Sequence, residues 1–173
     1  MIDGTNEVEA HPAMQLVFEA SQTIPASSAA LFKRRFGDDP PSIPQHVSAL
    51  VRRGDTAVGT LCYIHFSTFG TALLGGGACV DTGVLRRLTP DLRLQVRGAG
   101  GAYAMTLNWA VAHFQPSVDA VFGHCGDRLA ERIDLACGFE KTPHAHLLVF
   151  WCKAGDPLER SSLVDRVAAI GPF

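Results

Sequence analysis

The 173-residue sequence predicts an α+β fold in which a central mixed, mostly antiparallel sheet is flanked by helices. Two observations predict it. Between residues 46 and 80, three strand-like runs follow one another with only tight turns between them, which makes them antiparallel neighbours. Beyond residue 100, helical stripes alternate with single apolar runs, so later strands must reach the sheet by crossovers. No linker or repeat interrupts the pattern, so residues 1–173 read as one domain.

Residues 1–13 are polar and read as loose. Met14 to Gln22 reads as a first strand, with Leu16, Phe18 and Ala20 on one side. Pro25 stops it, and Ser27 and Ser28 read as N-caps for a helix over 29–36 that ends at Gly37. Residues 38–44 hold Pro40, Pro41 and Pro44 and form a loop. His46 to Arg52 is the next strand, with a hairpin turn at Arg53-Gly54-Asp55. Thr56 to Phe66 follows, then a turn at Thr68-Phe69-Gly70, then a strand over 71–80. Gly75-Gly76-Gly77 in that strand predicts a bulge or a close backbone approach.

The middle of the chain carries two signals. Thr89-Pro90-Asp91 is a helix start, yet Leu92, Leu94 and Val96 alternate as in a strand. Gly98, Gly100 and Gly101 come next, and Ala102 to Phe114 is helical, with Tyr103, Leu107, Ala110, Val111 and Phe114 as its apolar stripe. Val118 to Gly123 is a buried type of strand. Asp127 caps a helix over 128–137, closed by Gly138 as the residue after it. A strand over 146–152 and a helix over 159–170 complete the order.

Composition narrows the classes. Apolar residues make up 47% and charged residues 18%, which suits a packed globular chain. The formal net charge is −2 with no basic stripe, so no nucleic-acid partner is expected, and the pairs Arg34-Arg35, Arg52-Arg53 and Arg86-Arg87 read as solvated. The five cysteines lie in apolar runs without a C-x-x-C pair and read as reduced, packed thiols. No secretory leader and no membrane-length apolar run is visible, so a cytoplasmic protein is expected, without a membrane partner. His144 and His146 share a face, but nothing nearby completes a metal site, so no metal is expected.

Two local motifs carry chemistry. Gln95-x-x-Gly98-x-Gly100 precedes a helix, and Gly138-Phe139 ends another, with Ala130 eight positions before the glycine. Together with the strand order, over roughly 46–153, they resemble the GCN5-related N-acetyltransferase superfamily. The resemblance implies acyl-CoA, acetyl-CoA or a longer chain, as cosubstrate and an amine as acceptor. It assigns the pyrophosphate to Gln95, Val96, Arg97, Gly98, Ala99, Gly100 and Gly101. Glycines at a helix start offer converging amides and the positive end of the helix dipole, which suits that charge. It also implies that strands 76–80 and 121–125 part to take the pantetheine arm, with Ala78, Cys79 and Val80 beside it. An amide at Ala78 or Cys79 would then polarise the thioester carbonyl.

The chain departs from the family in three places. Residues 81–94 intervene before the glycines. They form either a small extra helix or the start of one long helix over 89–114, and suit a substrate lid or a homodimer contact. Asp134 stands where the family often has a tyrosine acid, and Asp127 where it has an asparagine. The candidate catalytic residues are therefore His124, Asp127 and Asp134, with His124 as base for the amine. Tyr103 reads as a core residue of its stripe first and as a contact to cofactor or acceptor second, His65 and His113 read as lone polar residues, and Cys125 reads as a packed thiol before a nucleophile. Two other readings stand beside this one. A catalytically inactive domain that binds acyl-CoA or a partner is the alternative motivated by Asp134. A dinucleotide site fails because the third glycine of its fingerprint would fall at Tyr103.

Overall fold

A computed structural model describes residues 12–43 and 45–173. Most of the stretch read as loose, up to residue 11, lies outside the described residues, as does Pro44. The strands are β1 (Met14–Ser21), β2 (Gln45–Arg53), β3 (Thr56–Phe69), β4 (Ala72–Val80), β5 (Ala120–His124), β6 (Glu140–Lys141) and β7 (Leu147–Trp151). The helices are α1 (Ala26–Phe36), α2 (Thr82–Arg87), α3 (Pro90–Gly98), α4 (Ala102–Phe114), α5 (Arg128–Ala136) and α6 (Pro157–Ala168).

They build one seven-stranded sheet in the order β1-β2-β3-β4-β5-β7-β6. β1 to β4 form an antiparallel meander, β5 joins β4 in parallel, and β7 runs antiparallel to β5. The expected α+β class with a mixed, mostly antiparallel sheet is the fold observed.

Helices cover both faces. α4 packs Leu107, Ala110, Val111 and Phe114 against Val47, Ile64, Phe66 and Leu73. On the other face α1 sets Leu31 and Phe32 against Tyr63 and Cys79, and α6 sets Leu163, Val164 and Val167 against Leu74, Phe122 and Val149. Because β2 is covered on both faces, His46 to Val51 are all buried instead of alternating in and out. Its two buried polar side chains, His46 and Ser48, are both partnered. His46 Nδ1 lies 2.7 Å from the Tyr63 hydroxyl, and Ser28 Oγ lies 2.8 Å from Ser48 Oγ and 2.9 Å from Thr60 Oγ1.

That network corrects one expectation. Ser27 and Ser28 do not cap α1. The helix begins at Ala26 with Pro25 at its N-cap, and both hydroxyls are engaged by Thr60 across the core. The mixed signal at 89–98 resolves as helix. Thr89 caps α3 through Leu92 N–H, and Pro90 occupies its first turn. The strand-like alternation of Leu92, Leu94 and Val96 is incidental, since Leu94 is 67% exposed while Val96 is buried. A single helix over 89–114 does not form, because Gly100 (φ 85°) and Gly101 (φ 107°) turn the chain between α3 and α4. Residues 81–94 thus hold two helices. Asp81 anchors them by capping α2 at Val84 N–H and accepting a 2.7 Å bond from Arg34 of α1.

Candidate active site

The sheet opens where β4 and β5 part. Their parallel pairing runs from Ala72 with Ala120 to Gly75 with Gly123 and then stops, while β4 continues to Val80. The edge of residues 76–80 beyond the fork is unpaired on the β5 side. Asp81 N–H donates to Leu61 O, and Cys79 sits opposite Tyr63, two residues along in the same register. Antiparallel pairs alternate between bonded and non-bonded, so Cys79 turns its amide toward β3 and Ala78 turns its amide into the gap. Of the two amides the sequence offered, Ala78 is the one facing the opening.

The three glycines form the expected bulge. Ile64 pairs with Ala78 and Phe66 with Gly75, so His65 opposes both Gly76 and Gly77. The Gly77 N–H donates to His65 Nε2 at 3.0 Å, and the imidazole fills the space that a Cβ on Gly76 would need. Burial pushes His65 down to about 4, so the ring is neutral and can accept that bond. His65, which the sequence presents as a lone polar residue, is a structural part of the bulge.

The glycine turn differs from its expected form. Gln95, Val96, Arg97 and Gly98 are the end of α3, with Val96 buried in the core. The amides of Ala99, Gly100 and Gly101 are already bonded, to the carbonyls of Gln95, Arg97 and Val96. Free donors begin one residue later. α4 has Gly101 at its N-cap and no capping side chain, and Met105 N–H makes its first internal bond, to Gly101. The N–H groups of Ala102, Tyr103 and Ala104 are therefore the unsatisfied first turn, at the positive end of the dipole. Exposed Arg97 stands at the end of the preceding helix.

The candidate acid and base lie on opposite faces. His124 shares the α6 face with Ala120 and Phe122, its ring 6.1 Å from that of His146 and 5.9 Å from Phe173. Cys125 turns to the α4 face, where its thiol donates to Asp134 Oδ2 at 2.9 Å. Asp134 Oδ1 accepts the Tyr103 hydroxyl at 2.8 Å. Asp134 is 2% exposed, so this charged residue of α5 faces the core and not solvent. Burial raises its carboxyl, and the bonds from Cys125 and Tyr103 oppose that rise. Asp127 makes no hydrogen bond to this group; it is the N-cap of α5, where it accepts Leu129 N–H at 2.9 Å.

Neither a protein-family model nor a curated protein sequence matches the chain. Solved structures match it in shape. It aligns with the ribosomal-protein-S18-alanine N-acetyltransferase from Escherichia coli over 83% of its own length and 97% of that chain, at 8% identity and a TM-score of 0.52. It aligns with a chain of the KacTA–DNA complex over 90% of its own length and 99% of that chain, at 14% identity and a TM-score of 0.53. The fold is that of the GCN5-related N-acetyltransferases.

Within this fold, sequence reasoning missed the bond of Tyr103 to Asp134 and the place of His65 in the bulge. Tyr103 fits an apolar stripe and so reads as core first, and its place one turn behind a glycine pair, the signal for a contact to cofactor or acceptor, says nothing of Asp134. His144 and His146 do not converge. His144 Nε2 lies 2.8 Å from Asp165, and His146 turns toward His124 with φ 67°. Among the described residues no group of three or more His, Cys, Asp or Glu side chains is arranged to hold a metal, and no helix is long and apolar enough to cross a membrane.

Proposed function

We propose that this protein is an acyl-CoA-dependent N-acyltransferase, transferring an acetyl or longer acyl group to the amine of a small molecule or protein. The observation that carries the reading is the fork. β4 and β5 separate beyond Gly75 and Gly123 beside an uncapped helix start. An extended arm with a pyrophosphate at one end fits that shape. The amides of Ala102, Tyr103 and Ala104 receive the phosphates, with Arg97 adding charge. The arm pairs with the open edge of residues 76–80. Ala78 N–H then donates to the thioester oxygen as negative charge builds there, a fixed dipole that needs no reorganisation. His124, at the end of β5, takes the proton of the attacking amine.

Asp134 at the family's tyrosine position supports one other reading, a domain that binds acyl-CoA without turnover. One experiment separates them. Release of free CoA thiol is followed with acetyl-CoA and longer acyl-CoAs against a panel of small and peptide amines, alongside calorimetric titration with CoA. Amine-dependent thiol release is the expected result. Tight CoA binding with no release would leave the binding domain, and absence of CoA binding would overturn both readings.

A further inference from the structure

Asp134 has a partner set that a structural carboxylate does not need. It is 2% exposed, and among the described residues no lysine, arginine or histidine pairs with it. Burying a carboxylate without a cation costs several kcal/mol. Its oxygens are held by two neutral donors from separate elements, the Tyr103 hydroxyl of α4 and the Cys125 thiol beyond β5. The other titratable groups around this cluster are the Cys137 and Cys62 thiols and the carboxylates of Glu131 and Asp127, none of them a countercharge. The carboxyl also lies at the fork. A Cβ built on Gly123, the last β5 residue paired with β4, would stand 3.3 Å from Asp134 Oδ2. Tyr103 is half-buried while Asp134 is enclosed, so of the bonded pair Tyr103 is the member with exposed surface.

We propose that Asp134 and Tyr103 form a two-step proton relay that protonates the thiolate leaving acyl-CoA, with Tyr103 touching the sulfur and Asp134 behind it as the proton source. The relay rests on the acyltransferase reading. As the amine forms its C–N bond, the C–S bond breaks and its electron pair stays on sulfur. Sulfur takes the phenolic proton of Tyr103, and the Tyr103 oxygen takes the carboxyl proton of Asp134. The products are the amide, the free thiol and an Asp134 carboxylate that accepts bonds from Tyr103 and Cys125, the arrangement in the structure. Solvent returns a proton to Asp134 through Tyr103 after the thiol departs. The amine's own proton leaves through His124 on the opposite face of the sheet.

Tyr103 acting alone is disfavoured. It would become a phenolate against a carboxylate, and like charges at hydrogen-bond distance oppose each other. Burial and Asp134 already hold the Tyr103 phenol well above the usual tyrosine range, and the same surroundings raise Cys125. Of the three groups, Asp134 is the one that changes protonation.

The test compares Tyr103→Phe and Asp134→Asn in the full chain, with thermal melts as the fold control. Both variants keep the shape of the side chain. Each is expected to lower kcat with acetyl-CoA by about 10²-fold while KM for acetyl-CoA stays within about twofold. The double variant should be no slower than the slower single one, because the two residues act in series. A Tyr103→Phe enzyme with wild-type kcat, or losses that multiply in the double variant, would overturn the relay and leave the acyltransferase reading standing. A second readout needs no turnover. The thiol of bound CoA, titrated by thiolate absorbance, should have a higher pKa in the wild type than in Asp134→Asn, because the carboxylate opposes the thiolate. Identical titrations in the two proteins would also overturn the relay. A protein that does not bind CoA would sink the relay and the acyltransferase reading together.

Discussion

Replacing Gly76 by alanine tests the bulge that aims Ala78 into the gap. The added methyl would fall within the His65 ring, against Nε2 and 2.5 Å from Cδ2. The ring has little room to yield. It is 8% exposed, with the Phe32 and Tyr63 rings 5.5 and 6.0 Å away. Forcing a methyl into a packed site costs about 1–3 kcal/mol. Displacing the imidazole also removes the acceptor of the half-buried Gly77 N–H, worth roughly another 1–3 kcal/mol. Gly76→Ala is therefore expected to cost at least about 2 kcal/mol, lowering Tm by roughly 4–8 °C or more for a chain of this size. Urea unfolding followed by circular dichroism gives the value. A cycle with His65→Ala isolates the cause, since in that background the methyl has space and the cost should shrink by at least ~1 kcal/mol. A cost under ~0.5 kcal/mol, or strict additivity with His65→Ala, would refute the coupling of His65 to the bulge.

Three further outcomes follow from the same geometry. His65 is held at about 4, below its ordinary 6.5, so its contribution to stability is complete above pH ~6.5 and fades as pH falls toward 4, on the order of 3 kcal/mol in all. Urea midpoints of the wild type should drop over that window more steeply than those of His65→Gln, with His46 contributing to the remaining slope because burial lowers it too. Ala102→Pro deletes one free amide at a position where helices accept proline, after a Gly101 whose ψ of 169° suits a following proline. The Kd for CoA should rise about tenfold to a hundredfold with Tm within a few degrees of wild type, and an unchanged Kd would remove Ala102 from the phosphate contact. Asp127→Ala should cost about 1 kcal/mol in chemical unfolding through loss of the α5 cap, and Asp127→Asn should restore it.

The order of elements was legible in the sequence because its signals are local. Side-chain period identified β1 to β5, α4 and α5, and glycines with positive φ ended α1 at Gly37 and α5 at Gly138. The β4 bulge was legible for the same reason, since three consecutive glycines weaken a regular strand. Residues 89–98 were ambiguous because Leu92, Leu94 and Val96 fit either period. The capped start at Thr89 and the packing of Val96 resolved it in favour of helix.

What the sequence alone determined, then, is the α+β architecture and the presence of a glycine-rich break before α4. Tertiary structure decided the rest, because each remaining feature depends on groups far apart in the chain. Which amides stay free at the break depends on how α3 closes, and that closure consumes those of Ala99, Gly100 and Gly101. The environment of Asp134 depends on Tyr103, 31 residues earlier, meeting it across the face of the sheet. The neutrality of His65 depends on burial beneath α1 and on an amide 12 residues away. Helical or strand period records which face a residue takes, but desolvation and hydrogen-bond partnership arise only when the faces close on one another.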